Sequence, residues 1–223
     1  MLLLPTPAMK SFRPLALLAT GLLLAAPLAA EPVKPLYQND FEGVAVDAVP
    51  EGMMVMAGLF TVKQGKDGKF LELPGEPLDT FGALFGPAGQ GDLSVSARFF
   101  GTKQGRKFPS FGLSLGGVGG FRLVVSPGKK ALEIFRGDEV KTSVPFEWVS
   151  EAWTSLRLQL RKGKDGAWLV EGKAWPSGGA EPAQWMVTLE EKEEPATGRA
   201  GLWGSPYSGT PIRFDDLVIK PAS

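Results

Sequence analysis

Residues Asp92-Leu93-Ser94-Val95-Ser96-Ala97-Arg98-Phe99-Phe100 decide how this chain folds. Leu93, Val95, Ala97 and Phe99 share one parity, while Ser94, Ser96 and Arg98 share the other. A strand points successive side chains to opposite sides, so this pattern makes one apolar and one polar face. The period recurs from Trp153 to Arg161, where Leu156, Leu158 and Leu160 alternate with Arg157, Gln159 and Arg161. It recurs again at Phe121, Leu123 and Val125 around Arg122. Further strands are predicted over 36–42, 59–63, 69–73, 81–85, 108–116, 131–136, 166–175, 199–203 and 211–220. Turn residues fill the gaps. Asp67-Gly68 and Asp165-Gly166 read as hairpin turns because Asp-Gly tolerates positive φ, and Ser126-Pro127-Gly128 separates another pair. Nothing keeps a helical period for ten residues. Ala180 to Pro195 comes nearest, and prolines break it. So many short strands predict an all-β, two-sheet antiparallel sandwich of jelly-roll type.

The 223 residues contain 29 Gly and 19 Pro, yet 43% are hydrophobic, which favours a turn-rich packed domain over a disordered chain. Neither histidine nor cysteine is present, so imidazole and thiolate chemistry, Ser-His-Asp nucleophiles and ordinary zinc sites are excluded. With 24 basic and 24 acidic residues there is no charge excess to attract nucleic acid. The N-terminus reads differently from the rest. Lys10 and Arg13 precede an apolar run from Leu15 to Leu28, followed by Ala29-Ala30 and then Glu31. That is the layout of a secretory signal peptide over 1–30, the run being shorter than the roughly 20 residues of a membrane span. Residues 31–223 are the expected mature domain, exported to the periplasm or secreted, with no membrane span.

The ends of that domain carry a resemblance. Asn39-Asp40-Phe41-Glu42-Gly43, followed by Val49-Pro50-Glu51-Gly52, resembles the opening of concanavalin A-like lectin/glucanase domains. Gly198-Arg199-Ala200-Gly201-Leu202-Trp203 and Ile212-Arg213-Phe214-Asp215-Asp216-Leu217-Val218-Ile219 resemble their last two strands. Trp148 and the Trp153-led strand look like the centre of laminin-G-like members. Lys173-Ala174-Trp175-Pro176 is similar to secreted bacterial domains grouped with family 16 glycoside hydrolases. The resemblance spans 36–220 and implies the concanavalin A-like sandwich, which carries lectins, hydrolases and adhesion domains alike.

Family 16 enzymes set Glu, Asp and Glu on alternate strand positions. The nearest approach here, Glu133-Ile134-Phe135-Arg136-Gly137, puts one carboxylate on its face, and hydrolysis by a retaining mechanism needs two. Glu72 and Glu171 lie on predicted strands, where a solvent-facing glutamate is the commoner reading. Glu190, Glu191, Glu193 and Glu194 read as a solvated loop. The expected function is therefore non-catalytic binding of a polysaccharide or cell-surface glycan. The alternatives are a glycan-acting hydrolase and a laminin-G-type structural or protein-interaction domain.

The last strand contains a phase slip. Ile212 and Phe214 have one parity and Leu217 and Ile219 the other, so a β-bulge is predicted at Asp215-Asp216. By the resemblance, Glu42, Gly43 and Asp215, with Asp216 or Asp40 in addition, match the ligands of a structural Ca2+ ion, whose oxygen preference suits carboxylates and carbonyls. For the glycan, Trp203 and Tyr207 sit in a small-residue stretch that would leave their rings open for stacking on sugar C–H groups. Arg98 and Arg122 read first as solvated strand positions. On one concave sheet they would instead supply forked hydrogen bonds to a glycan. Trp148 and Trp153, flanking a patterned strand, are expected in the core.

Overall fold

Period-two patterning becomes strand throughout a computed structural model that describes residues 1–2 and 34–222. Apart from Met1 and Leu2, the predicted signal peptide lies outside the described residues. In chain order the strands are β1 (Tyr37–Asn39), β2 (Met54–Ala57), β3 (Thr61–Gly65), β4 (Gly68–Leu73), β5 (Phe81–Gly89), β6 (Leu93–Phe100), β7 (Ser110–Leu115) and β8 (Phe121–Ser126). They continue as β9 (Ala131–Arg136), β10 (Glu139–Pro145), β11 (Thr154–Lys162), β12 (Trp168–Pro176), β13 (Val187–Glu191), β14 (Gly198–Ser205) and β15 (Ile212–Pro221). An eight-stranded sheet runs β13-β12-β11-β6-β15-β4-β3, with β1 also on β15, and a seven-stranded sheet runs β10-β9-β8-β7-β14-β5-β2. Every pairing is antiparallel. The all-β, two-sheet sandwich is as predicted.

The inward parities of the two sheets make the core. Val95, Ala97 and Phe99 of β6 and Leu156, Leu158 and Leu160 of β11 face Leu113 of β7 and Leu123 of β8. Phe99 stacks on Phe111 across the gap between the sheets, with centroids 5.2 Å apart and rings 13° from parallel. Phe214 meets Phe99 edge-on at 5.4 Å. The predicted bulge is present. Asp215 pairs with Arg98 but Val218 pairs with Ser96, and Asp216 takes a φ of 52°. The extra residue lets Ile212, Phe214, Leu217 and Ile219 all reach the core.

Three strands go beyond the sequence reading: β2, β10 and β13. β13 lies in the segment read as a broken near-helix and takes up Glu190 and Glu191, while Glu193 and Glu194 stay in an exposed loop as expected. Glu191 and Glu193 each bond the Arg136 guanidinium at 2.8 Å, tying an edge of one sheet to the other. Edge strands pair on one side only, so their local signal is weak. Trp148 packs edge-on against core Phe111 at 6.1 Å, as expected. Trp153 does not enter the core. It shares the parity of Ser155 and Arg157 and lies on the outer face beside Phe100, 5.6 Å between centroids.

Candidate functional site

The outer face of the seven-stranded sheet holds the most sharply built constellation. Residues directly opposite one another share a face. One row across six strands therefore reads Gly82, Trp203, Gly112, Val124, Glu133 and Ser143. The next reads Leu84, Gly201, Ser114, Arg122, Phe135 and Val140. Glycine stands beside Trp203 on both neighbouring strands, so no side chain flanks the indole along its row. Arg122 lies between two rings, its guanidinium carbon 5.2 Å from the Trp203 centroid and 5.5 Å from that of Phe135. Its Nη2 donates to the Gly137 carbonyl at 2.7 Å, with Asp138 at 3.6 Å. Burial pushes the guanidinium below its ordinary value and Asp138 pulls it partly back. A depression of about 110 Å³ adjoins the ring, rimmed by Met56 and Val118.

Glu133 is the carboxylate of the first row, as the alternation predicted. It is 3% exposed, accepts from Ser126 Oγ and pairs with Lys129 Nζ at 3.1 Å. No second carboxylate stands in these two rows, so the Glu-Asp-Glu arrangement of family 16 hydrolases is not built here. The buried Nε1–H of Trp203 and Nε–H of Arg122 find no acceptor among the described residues.

The four residues expected to bind a glycan do not form one site. Trp203 and Arg122 meet on this face. Trp203 lies within β14, not in a loop. Tyr207 is exposed beyond the end of β14 and does not line the depression at Trp203. Arg98 belongs to the other sheet, where it bonds Asp215 at 2.6 Å and Asp216 at 2.7 Å. Glu72 and Glu171 are paired as well, with Arg213 at 3.3 Å and Arg161 at 2.8 Å.

No family model and no curated protein matches this sequence. Solved structures match its architecture. The carbohydrate-binding module CBM66 from Bacillus subtilis aligns with a TM-score of 0.54 at 12% identity, over 76% of this chain and 95% of the module. A potassium-bound carbohydrate recognition domain of Emp46p gives 0.57 at 10% identity, over 86% of this chain and 100% of that one. A glycosyl hydrolase family protein from Mycobacterium fortuitum gives 0.54 at 14%, over 84% and 100%. The fold is the concanavalin A-like jelly roll. At these identities the likeness is one of fold, and it spans binding domains and hydrolases alike.

The four residues expected to hold calcium do not gather as one ligand set: Gly43 and Asp216 line one depression with Asp40, while the Glu42 and Asp215 carboxylates are bonded to Lys69 and Arg98. Among the described residues no three acidic side chains gather as a metal group. The Glu42 carboxylate accepts the Lys69 N–H at 2.7 Å. The Lys69 ammonium donates to the carbonyls of Glu42 and Val44 at 2.9 and 2.7 Å. Carbonyl oxygens on either side of Gly43 thus already hold a cation, which is a lysine. Asp215 and Asp216 are taken by Arg98. Gly68 permits this arrangement. At its φ of 126°, an added Cβ would stand 2.4 Å from a Glu42 carboxylate oxygen.

Proposed function

We propose that this chain is an exported, non-catalytic glycan-binding protein whose site is the Trp203–Arg122–Phe135 face of the seven-stranded sheet. The observation that carries this reading is the indole itself. Trp203 is held by the Arg122 stack and flanked by Gly82 and Gly112, which suits stacking against a sugar ring, while Arg122 and Ser114 offer hydroxyl partners. The carbohydrate-binding module and the recognition domain of like fold support it. The sequence over 1–30 supports export. This reading gives calcium no part in the binding, since Lys69 holds the carbonyls of Glu42 and Val44 and Arg98 pairs with Asp215 and Asp216.

The test is retention of purified 31–223, which contains the whole described core, on a panel of immobilised polysaccharides. Selective retention is expected, unchanged by chelator. Trp203→Ala should weaken binding at this face roughly thirtyfold, the effect of losing a central aromatic anchor worth about 2 kcal/mol. No retention on any glycan refutes the reading. Release of new reducing ends from a retained polysaccharide would replace it with hydrolysis.

A further inference from the structure

We infer that the outer face of the eight-stranded sheet carries a second saccharide site, for a neutral glycan, so that the domain binds sugar on both sides of the sandwich. A depression of about 450 Å³ opens there between the β3–β4 hairpin and the bulge of β15. This is room for a disaccharide-sized ligand by the ordinary scale of small-molecule sites. Trp153, Phe100 and Phe70 line it together with Arg98 and Arg213. Arg98 lies over Trp153 at 5.1 Å, and Arg213 over Phe70 at 4.6 Å and Phe100 at 5.3 Å. Stacking on rings holds both guanidinium planes, so little rotamer freedom remains to be lost when they bind.

The ligand class follows from the charges. Arg98 is paired with Asp215 and Asp216 and Arg213 with Glu72, and of these carboxylates Asp215 lines the depression, as does Asp67 of the hairpin turn. The Lys69 ammonium is committed to two carbonyls. An incoming anion would meet a carboxylate at each arginine and gain little. A sugar diol instead accepts from the guanidinium N–H groups of Arg98 and Arg213 and donates to the Asp215 carboxylate, which lines the depression beside Arg98. The bulge makes this arrangement. By inserting a residue it sets two consecutive aspartates against a single arginine, where a regular ladder would set one.

The inference is separable from the proposal for the opposite face. Side-chain indole and arginine Nε–H signals of 15N-labelled 31–223 are followed during titration with neutral gluco-, manno-, xylo- and galacto-oligosaccharides, and with an oligogalacturonate. Shifts at Trp153, Arg98 and Arg213 with a neutral sugar are expected. Arg213→Ala should weaken that binding roughly tenfold, as loss of a charged hydrogen-bonding partner does, without altering the Trp203 response. Shifts at Trp153 but not Trp203 support this site and refute the other. Shifts at Trp203 alone, at Trp153 only with the acidic oligomer, or nowhere overturn the inference.

Discussion

Asp215→Asn is expected to change how this protein's stability depends on pH. Asp215 is 8% exposed, and burial is the largest influence on its carboxyl, pushing it from an ordinary 3.8 to about 6. The neighbouring Asp216 charge adds to this, whereas the Asp216 N–H and Arg98 pull against it. The folded state therefore holds this proton more tightly than the unfolded chain does. The stability this lends is fully present below the unfolded value and is lost as pH rises through about 6. At about 1.4 kcal/mol per pH unit, the difference between 3.8 and about 6 sets a ceiling of about 3 kcal/mol. The depression beside Asp215 admits solvent, so about 1–2 kcal/mol is the expected effect. Urea unfolding of the wild type and of Asp215→Asn at pH 4.5 and 7.5 measures it, because subtracting one from the other cancels the titrating groups that do not touch Asp215. The stability of the variant relative to wild type should rise by that amount toward pH 7.5. A difference that stays flat, or falls with pH, would show that Arg98 stabilises the carboxylate more than burial opposes it, and the reasoning would fail.

Three further outcomes test the structure. Phe99→Ala removes the ring shared by Phe111 and Phe214 and should cost about 3–5 kcal/mol in urea unfolding, while a variant within 1 kcal/mol of wild type would contradict the cross-sheet packing. Lys69→Met should lower stability by roughly 1–2 kcal/mol, a few degrees in melting temperature for a chain of this size. Neither calcium nor chelator should move the wild-type melting temperature, and a calcium-dependent rise would restore the ion to the Gly43–Asp216 depression.

Much of the fold was legible because strand alternation is a local property. Leu93 to Phe99 and Leu156 to Leu160 each announce a face without reference to any other part of the chain. Even the bulge could be read, since the phase slip between Phe214 and Leu217 lies within one strand. Trp153 lies outside although flanking a patterned strand suggests the core, and its parity, shared with Ser155 and Arg157, already points outward. The acidic edge of β13 offered less. Its glutamates owe their place to Arg136, more than fifty residues away in the chain. Lys69 gave no signal at all: nothing local distinguishes a lysine that holds two carbonyls from one in solvent.

What the sequence by itself determined was parity, the side of each strand that faces a core, together with the turns and the bulge. Only the tertiary structure decided which sheet each strand joined, and hence which outer face its polar residues occupy. Arg98 and Arg122 have the same local pattern, an arginine between apolar neighbours on an alternating strand. One lies with Asp215 and Trp153 and the other with Trp203 and Phe135, on opposite sides of the sandwich. The physical reason is that parity belongs to each residue's own backbone, whereas partnership is set by hydrogen-bond register between strands far apart in sequence.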